Sequence, residues 1–159
     1  MATAKKAKVV APEEVAQQVE GCIDKFDPAM AKRIREVRKW LRKRFPTAVE
    51  LVYDNYNFFV IGYCSTERAS DCVVSLAADK NGVGLSFYYG SDLADPEELL
   101  QGSGSQNRFL RLPEGAKTLK DPRAGSLIDA AEANGEIRMP KEKGYTVMRS
   151  ISEKQRPRR

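Results

Sequence analysis

Four short runs rich in Val, Ile, Phe and Tyr follow one another between Val49 and Tyr89, with links too short to hold a helix. The runs are Val49–Asp54, Asn57–Tyr63, Asp71–Ala78 and Val83–Tyr89, and residues of this kind fit a pleated, half-buried surface. Parallel strands need a crossover of about a dozen residues or more, so strands joined this closely are predicted to pair antiparallel. Asn81-Gly82, between the third and fourth runs, has the chemistry of a two-residue hairpin. An antiparallel meander is therefore predicted, and the remaining elements must cover it.

The stretch from Gly82 to Leu112 extends this reading. Val83, Leu85 and Phe87 alternate with small or polar residues, as a half-buried strand requires. Asp95-Pro96 sets a capping side chain beside a residue of fixed φ, which predicts one helical turn carrying Glu97 and Glu98. Leu99 and Leu100 close that turn over the core, and Gly102, Ser103, Gly104 and Ser105 let the backbone bend. Phe109, flanked by Arg108 and Arg111, opens a fifth strand.

Three helices follow from apolar periodicity. Glu13 to Phe26 carries Val15, Val19, Cys22, Ile23 and Phe26 on one side. Asp27-Pro28 starts a longer helix whose stripe is Met30, Ile34, Val37, Leu41 and Phe45, with Trp40 beside it; Pro46 ends it. Asp121-Pro122 starts a third, with Ala124, Leu127, Ile128 and Ala131 inward and Gly135 as its stop. Tyr145, Val147 and Ile151 can add an edge strand. The expected fold is α+β: an antiparallel meander of five or six strands, with two N-terminal helices and one C-terminal helix packed on it. Residues 1–12 read as a disordered basic tail, 13–152 as a single domain, and 153–159 as a loose basic tail. An exposed edge strand also makes a homodimer a reasonable expectation.

Composition narrows the chemistry. No histidine occurs in the 159 residues, which removes imidazole bases, His-dependent nucleophilic triads and histidine metal sites. No catalytic residue, metal site or cofactor is assigned. No apolar run nears the roughly 20 residues that span a bilayer, and the N-terminus lacks the apolar core of a secretory signal, so no membrane partner is expected. Cys22, Cys64 and Cys72 match no zinc or redox spacing; Cys64 and Cys72 can face each other across a hairpin, but the favoured reading is reduced thiols in a cytoplasmic setting. The basic excess is local: residues 28–45 hold eight Lys or Arg against one Glu, while residues 46–135 hold seven against thirteen acids.

VELVYDNYN, the loop STERASD, the block LADPEELLQGSGSQNR and the ending SISEKQRPRR together resemble the YdhG-like family, a bacterial domain of unknown function. The resemblance spans roughly Phe26 to the C-terminus. It implies helices packed on an antiparallel sheet, and it brings no assigned reaction. Some relatives are called frataxin-like iron chaperones, which implies iron held on acidic residues. In this chain Glu13, Glu20 and Asp24, at steps of seven and four on the first helix, are the acids that match, and the long helix is basic instead.

Three constellations can carry chemistry. The loop Gly102-Ser103-Gly104-Ser105 with Arg108 has the makings of an anion nest, backbone N–H groups completed by a guanidinium; the competing reading is a plain turn with Arg108 paired to an acid such as Asp92 or Asp95. Tyr53, Asn55 and Tyr56 surround a turn that can flank a cleft for a small polar ligand, against a bare hairpin corner. Glu50 and Asp54, four apart on a strand, share a face that reads as solvated. The third constellation, the basic face of helix 28–45, can neutralise phosphates, although no aromatics interleave with it for base stacking, and nucleic acid is not the expected partner. The functional expectation is a non-enzymatic cytoplasmic binding or accessory module with a small polar or anionic ligand. The alternatives are a frataxin-like iron chaperone and weak nucleic-acid binding.

Overall fold

The computed structural model describes residues 10–159. The tail expected over residues 1–12 therefore lies outside the described residues except for its last three. Helix α1 (Pro12–Ile23) and helix α2 (Pro28–Arg44) come first. They are followed by strands β1 (Val49–Asp54), β2 (Phe59–Cys64), β3 (Cys72–Asp79), β4 (Gly82–Phe87) and β5 (Arg108–Arg111), helix α3 (Pro122–Asn134) and strand β6 (Thr146–Ile151). The sheet order is β5-β4-β3-β2-β1-β6, a five-stranded antiparallel meander to which β6 adds parallel to β1. The architecture is the α+β fold the sequence predicts, with the last strand departing from the antiparallel rule. That strand returns through α3 and a long connection, which is what a parallel pairing needs.

The apolar stripes do what their spacing predicts. Val19, Ile23, Ile34, Val37 and Leu41 are fully buried, and they meet Phe59, Ile61, Leu76, Leu85 and Phe87 on one face of the sheet. Ala124, Leu127 and Ile128 of α3 join the same core, so all three helices cover one face. The Asp27 side chain accepts the Met30 amide at 2.9 Å, and Asp121 accepts the Arg123 amide, as the two Asp-Pro starts predict. On the other face a small cluster of Val49, Leu51, Cys64 and Cys72 is bordered by Tyr53 and Val147.

Three local expectations fail for identifiable reasons. Asp95 does not start a helical turn: its carboxylate accepts the Leu99 and Leu100 amides, and Glu98 adopts φ 54°, so the chain turns back instead of coiling. Residues 153–159 are not loose. The Ser152 amide donates to the Asp54 carbonyl, the Arg156 amide donates to the Tyr56 carbonyl, and Arg158 is only 5% exposed. Cys64 and Cys72 are joined as a disulfide rather than left as thiols, because a bulge in the β2–β3 ladder sets them directly opposite each other. Gly62 beside them leaves room for sulfur, since a Cβ there would come within 2.7 Å of the Cys72 Sγ. Cys22 remains a free buried thiol.

Replacing Val37 by Asp places an unpaired carboxylate among fully buried side chains and should cost several kcal/mol. Lys43→Asp, on the exposed face of the same helix, should stay within about 1 kcal/mol. Urea midpoints compare the two directly, and equal midpoints would mean the helix presents its other side to the sheet.

Candidate functional site

Strand β1 carries two acids on its helix-facing side, and neither is solvated. Glu50 is 3% exposed and Asp54 is fully buried. Glu50 accepts the Arg38 Nε at 3.1 Å and Nη2 at 3.0 Å, the Tyr63 hydroxyl at 2.8 Å and the Thr146 hydroxyl at 2.8 Å. A fork-to-fork guanidinium contact of this kind is the strongest ion-pair geometry available to a side chain. Burial pushes the Glu50 carboxyl upward, but the Arg38 hydrogen bonds and charge, with Thr146 and Tyr63, outweigh it and hold the group below its ordinary value. Burial and the adjacent Glu50 charge push the Tyr63 phenol well above its own.

Asp54 is built the same way from different elements. The Lys25 Nζ lies 2.6 Å from its Oδ2, and the Arg158 Nη2 donates to its Oδ1 at 2.9 Å. Burial works against this carboxylate, and hydrogen bonds from Lys25, Gln155 and Arg158 reverse the effect, leaving it below the usual range. Cys22 lies beside it, and burial, followed by the Asp54 charge, pushes that thiol up to about 12. A thiol so held is not a nucleophile near neutral pH. The expectation that Glu50 and Asp54 form a solvated face is therefore corrected.

In the glycine loop Arg108 turns back on its own chain instead of meeting an acid. The Arg108 Nη1 donates to the Gly104 carbonyl at 2.6 Å and the Asn107 carbonyl at 2.8 Å, so its guanidinium closes the loop on itself. Gly102 takes φ 117°, where a side chain is strained, and Ser103, Gly104 and Ser105 are exposed. Neither Asp92 nor Asp95 holds Arg108. The Tyr53 ring borders the small cluster on the open sheet face, and Tyr56 is 50% exposed under the Arg156 guanidinium, 5.7 Å away. Asn55 accepts from Ser150 through its side chain and from Arg158 through its carbonyl. This turn sits at the β1–β2 end of the sheet, whereas the glycine loop precedes β5 at the other end and the far edge. The two predicted sites are not brought together.

Four of the eight basic residues of α2, Arg35, Arg38, Arg42 and Arg44, pair with acids of the chain, and Lys32, Lys39 and Lys43 stay exposed. Arg35 pairs with Glu20 and Asp24 at 2.8 and 2.6 Å, and Arg44 with Asp129 and Glu132 of α3 at 2.8 and 2.7 Å. Glu20 and Asp24 of the α1 stripe are thereby engaged, and among the described residues no group of three His, Cys, Asp or Glu side chains is placed to hold a metal ion.

A cleft that the sequence did not announce opens where the 65–71 loop, the segment after β4 and the C-terminal end of α3 meet. It encloses about 500 Å³, within the usual range of small-molecule sites. Val73, Phe87, Leu93, Ala131 and Ile137 supply its apolar surface, and Asp71, Asp92 and Glu136 its charge; no Lys or Arg lines it. Asp71 is braced by the Thr66 hydroxyl at 2.6 Å, and the Tyr89 hydroxyl donates to the Ser70 carbonyl, fixing the loop wall. Asp71 also lies 3.9 Å from the Arg68 Nε, whereas Asp92 and Glu136 form no ion pair among the described residues. No protein-family model, curated protein or solved structure matches the chain.

Either Arg38→Met or Glu50→Gln alone should lower stability by about 3–5 kcal/mol, because each strands a buried charge or donor fork. The double variant Arg38→Met, Glu50→Leu should lose less than the worse single, and denaturant unfolding of all four proteins tests this. Since folding lowers the Glu50 and Asp54 carboxyls, the unfolded chain takes up protons first as the solution is acidified. The stability they contribute is present above the ordinary carboxylate values and should fall away as pH drops through the lowered ones. That acid slope should flatten in the double variant.

Proposed function

We propose that this chain is a non-enzymatic binding module of YdhG-like type, working in the cytoplasm, and that its ligand is a small organic cation held in the cleft between α3 and the 65–71 loop. The observation that carries the reading is the lining: an apolar surface with three carboxylates and no basic residue, in a chain whose net charge is +5. A cation is drawn to such a pocket, and an anion is repelled from it. This replaces the anion expected from the glycine loop, where the Arg108 Nη1 is turned back onto the loop's own carbonyls.

The non-enzymatic part is supported by where the titratable groups have gone. Glu50 and Asp54 are locked as carboxylates beside cations, and Cys22 and Tyr63 are pushed away from neutral reactivity. These four groups are thus engaged in holding the fold rather than in proton transfer.

Thermal shift with millimolar diamines, polyamines and quaternary ammonium ions, against phosphate, nucleotides and small carboxylates, tests the reading. A ligand at 100 times its Kd stabilises by about 2.7 kcal/mol, which corresponds to a Tm rise of several degrees for a chain of this size. The rise should appear with cations and disappear in the Asp92→Asn, Glu136→Gln variant, whose changes are at exposed positions. Stabilisation by anions alone would overturn the proposal. The cytoplasmic setting has its own check: Cys64 and Cys72, which the structure pairs as a disulfide, should be trapped as free thiols in intact cells if the compartment is reducing, and a bridge persisting there would place the chain elsewhere.

A further inference from the structure

Arg158 is held in a way that an ordinary surface pair is not. Its Nη1 donates to the Asn57 carbonyl at 3.0 Å, and its Nη2 donates to the Asn55 carbonyl at 2.6 Å and the Asp54 carboxylate at 2.9 Å. Its guanidinium lies 5.8 Å from the centre of the Phe26 ring, within reach of a cation–π contact. Three acceptors from one turn thus converge on the two terminal nitrogens, with an aromatic floor. The Nε, buried as well, has no partner. The pocket reads the end of a guanidinium and ignores the stem that carries it.

The segment that delivers Arg158 is attached differently from the rest of the chain. Nothing beyond Ile151 belongs to a helix or a strand. Arg156 and Arg159 are exposed, and Gln155 is half-buried on the rim, where its amide donates to the Asp54 carbonyl at 3.0 Å. One buried anchor within a ring of exposed polar contacts is the anatomy of a bound peptide rather than of a core element. Such a segment can open without disturbing the sheet. Asp54, fully buried, cannot be left to Lys25 alone at little cost, so a departing Arg158 has to be replaced by another cation.

We propose that the pocket formed by Asp54, Asn55, Asn57 and Phe26 is an exchangeable guanidinium-recognition site, with Arg158 as its resident ligand and an arginine-bearing peptide as the ligand that displaces it. The site is separate from the acidic cleft and does not depend on the ligand assigned to that cleft.

The test uses the full chain carrying Arg158→Ala. Millimolar ethylguanidinium should recover at least half of the Tm lost by this variant, while ethylammonium and sodium chloride at equal concentration should not. A synthetic peptide of residues 153–159 should bind the variant saturably by calorimetry and bind the unaltered protein at least tenfold more weakly, because the resident segment competes. An Arg-to-Lys change in the peptide at the position of Arg158 should abolish the binding, since a lysine cannot fork between the carboxylate and two carbonyls. Rescue by ethylguanidinium without peptide binding would leave only a cavity for a free ion and overturn the peptide part of the assignment. Absence of both would overturn it entirely. Should the variant fail to fold, hydrogen exchange on the unaltered protein decides: the Arg156 amide must exchange much faster than the β1 and β2 amides, and equal protection would make the segment a fixed part of the fold.

Discussion

A glutamate laid beneath a helix demands a cation at the same depth, and the meeting of Glu50 with Arg38 is the contact around which the helical layer is positioned. The pair sits where α2 crosses β1, with Tyr63 of β2 and Thr146 of β6 completing the carboxylate's shell. One side chain therefore fixes four elements against each other. Apolar burial supplies most of the driving force, but it is indifferent to small shifts of a helix along a sheet. A forked ion pair is not, because its two hydrogen bonds fail together when the helix slides. Register between the layers is set here.

Asp54 repeats the device four residues further along the same strand, with the difference that its cations come from a turn after α1 and from the far end of the chain. β1 thus lies in the sheet between β2 and β6 while its acids are answered from three separate stretches of sequence. This concentration of paired charge also takes up part of the basic side of the long helix. Its Arg35, Arg38 and Arg44 are committed inward or to neighbouring acids, and only the remainder faces water.

The sheet, the helices and their inward faces were legible because periodicity and Asp-Pro starts are local signals. Arg38 was legible in principle: it follows Ile34 by four and precedes Leu41 by three, so it sits on the edge of an apolar stripe and calls for a buried partner. Glu50 and Asp54 misled because Val49, Leu51 and Tyr53 offered the more apolar face of the strand, whereas the residues on both sides of β1 are almost all buried. Arg158 gave no local sign at all, since its partners lie more than a hundred residues away. The cleft was equally silent. It is made by a loop, a chain reversal and a helix end, whose meeting depends on tertiary packing alone. The glycine loop, which looked most like a site, carries residues chosen for bending, and bending is what they do.

The parallel docking of β6 against β1 has a consequence for the order in which the protein is assembled. The hairpins β1–β2, β2–β3 and β3–β4 close over a few residues each, whereas Glu50 meets Thr146 across a separation of 96 positions and Asp54 meets Arg158 across 104. Closing so large a loop carries an entropic cost that must be met before any contact rewards it, so the meander and its helices form ahead of the last strand. On a ribosome, Glu50 can therefore already meet Arg38 and Asp54 can meet Lys25, while each acid gains its last partner, Thr146 or Arg158, only when the final stretch of chain arrives. Until then the sheet keeps an open edge along β1, and the charge on that strand is what discourages another chain from adding there first.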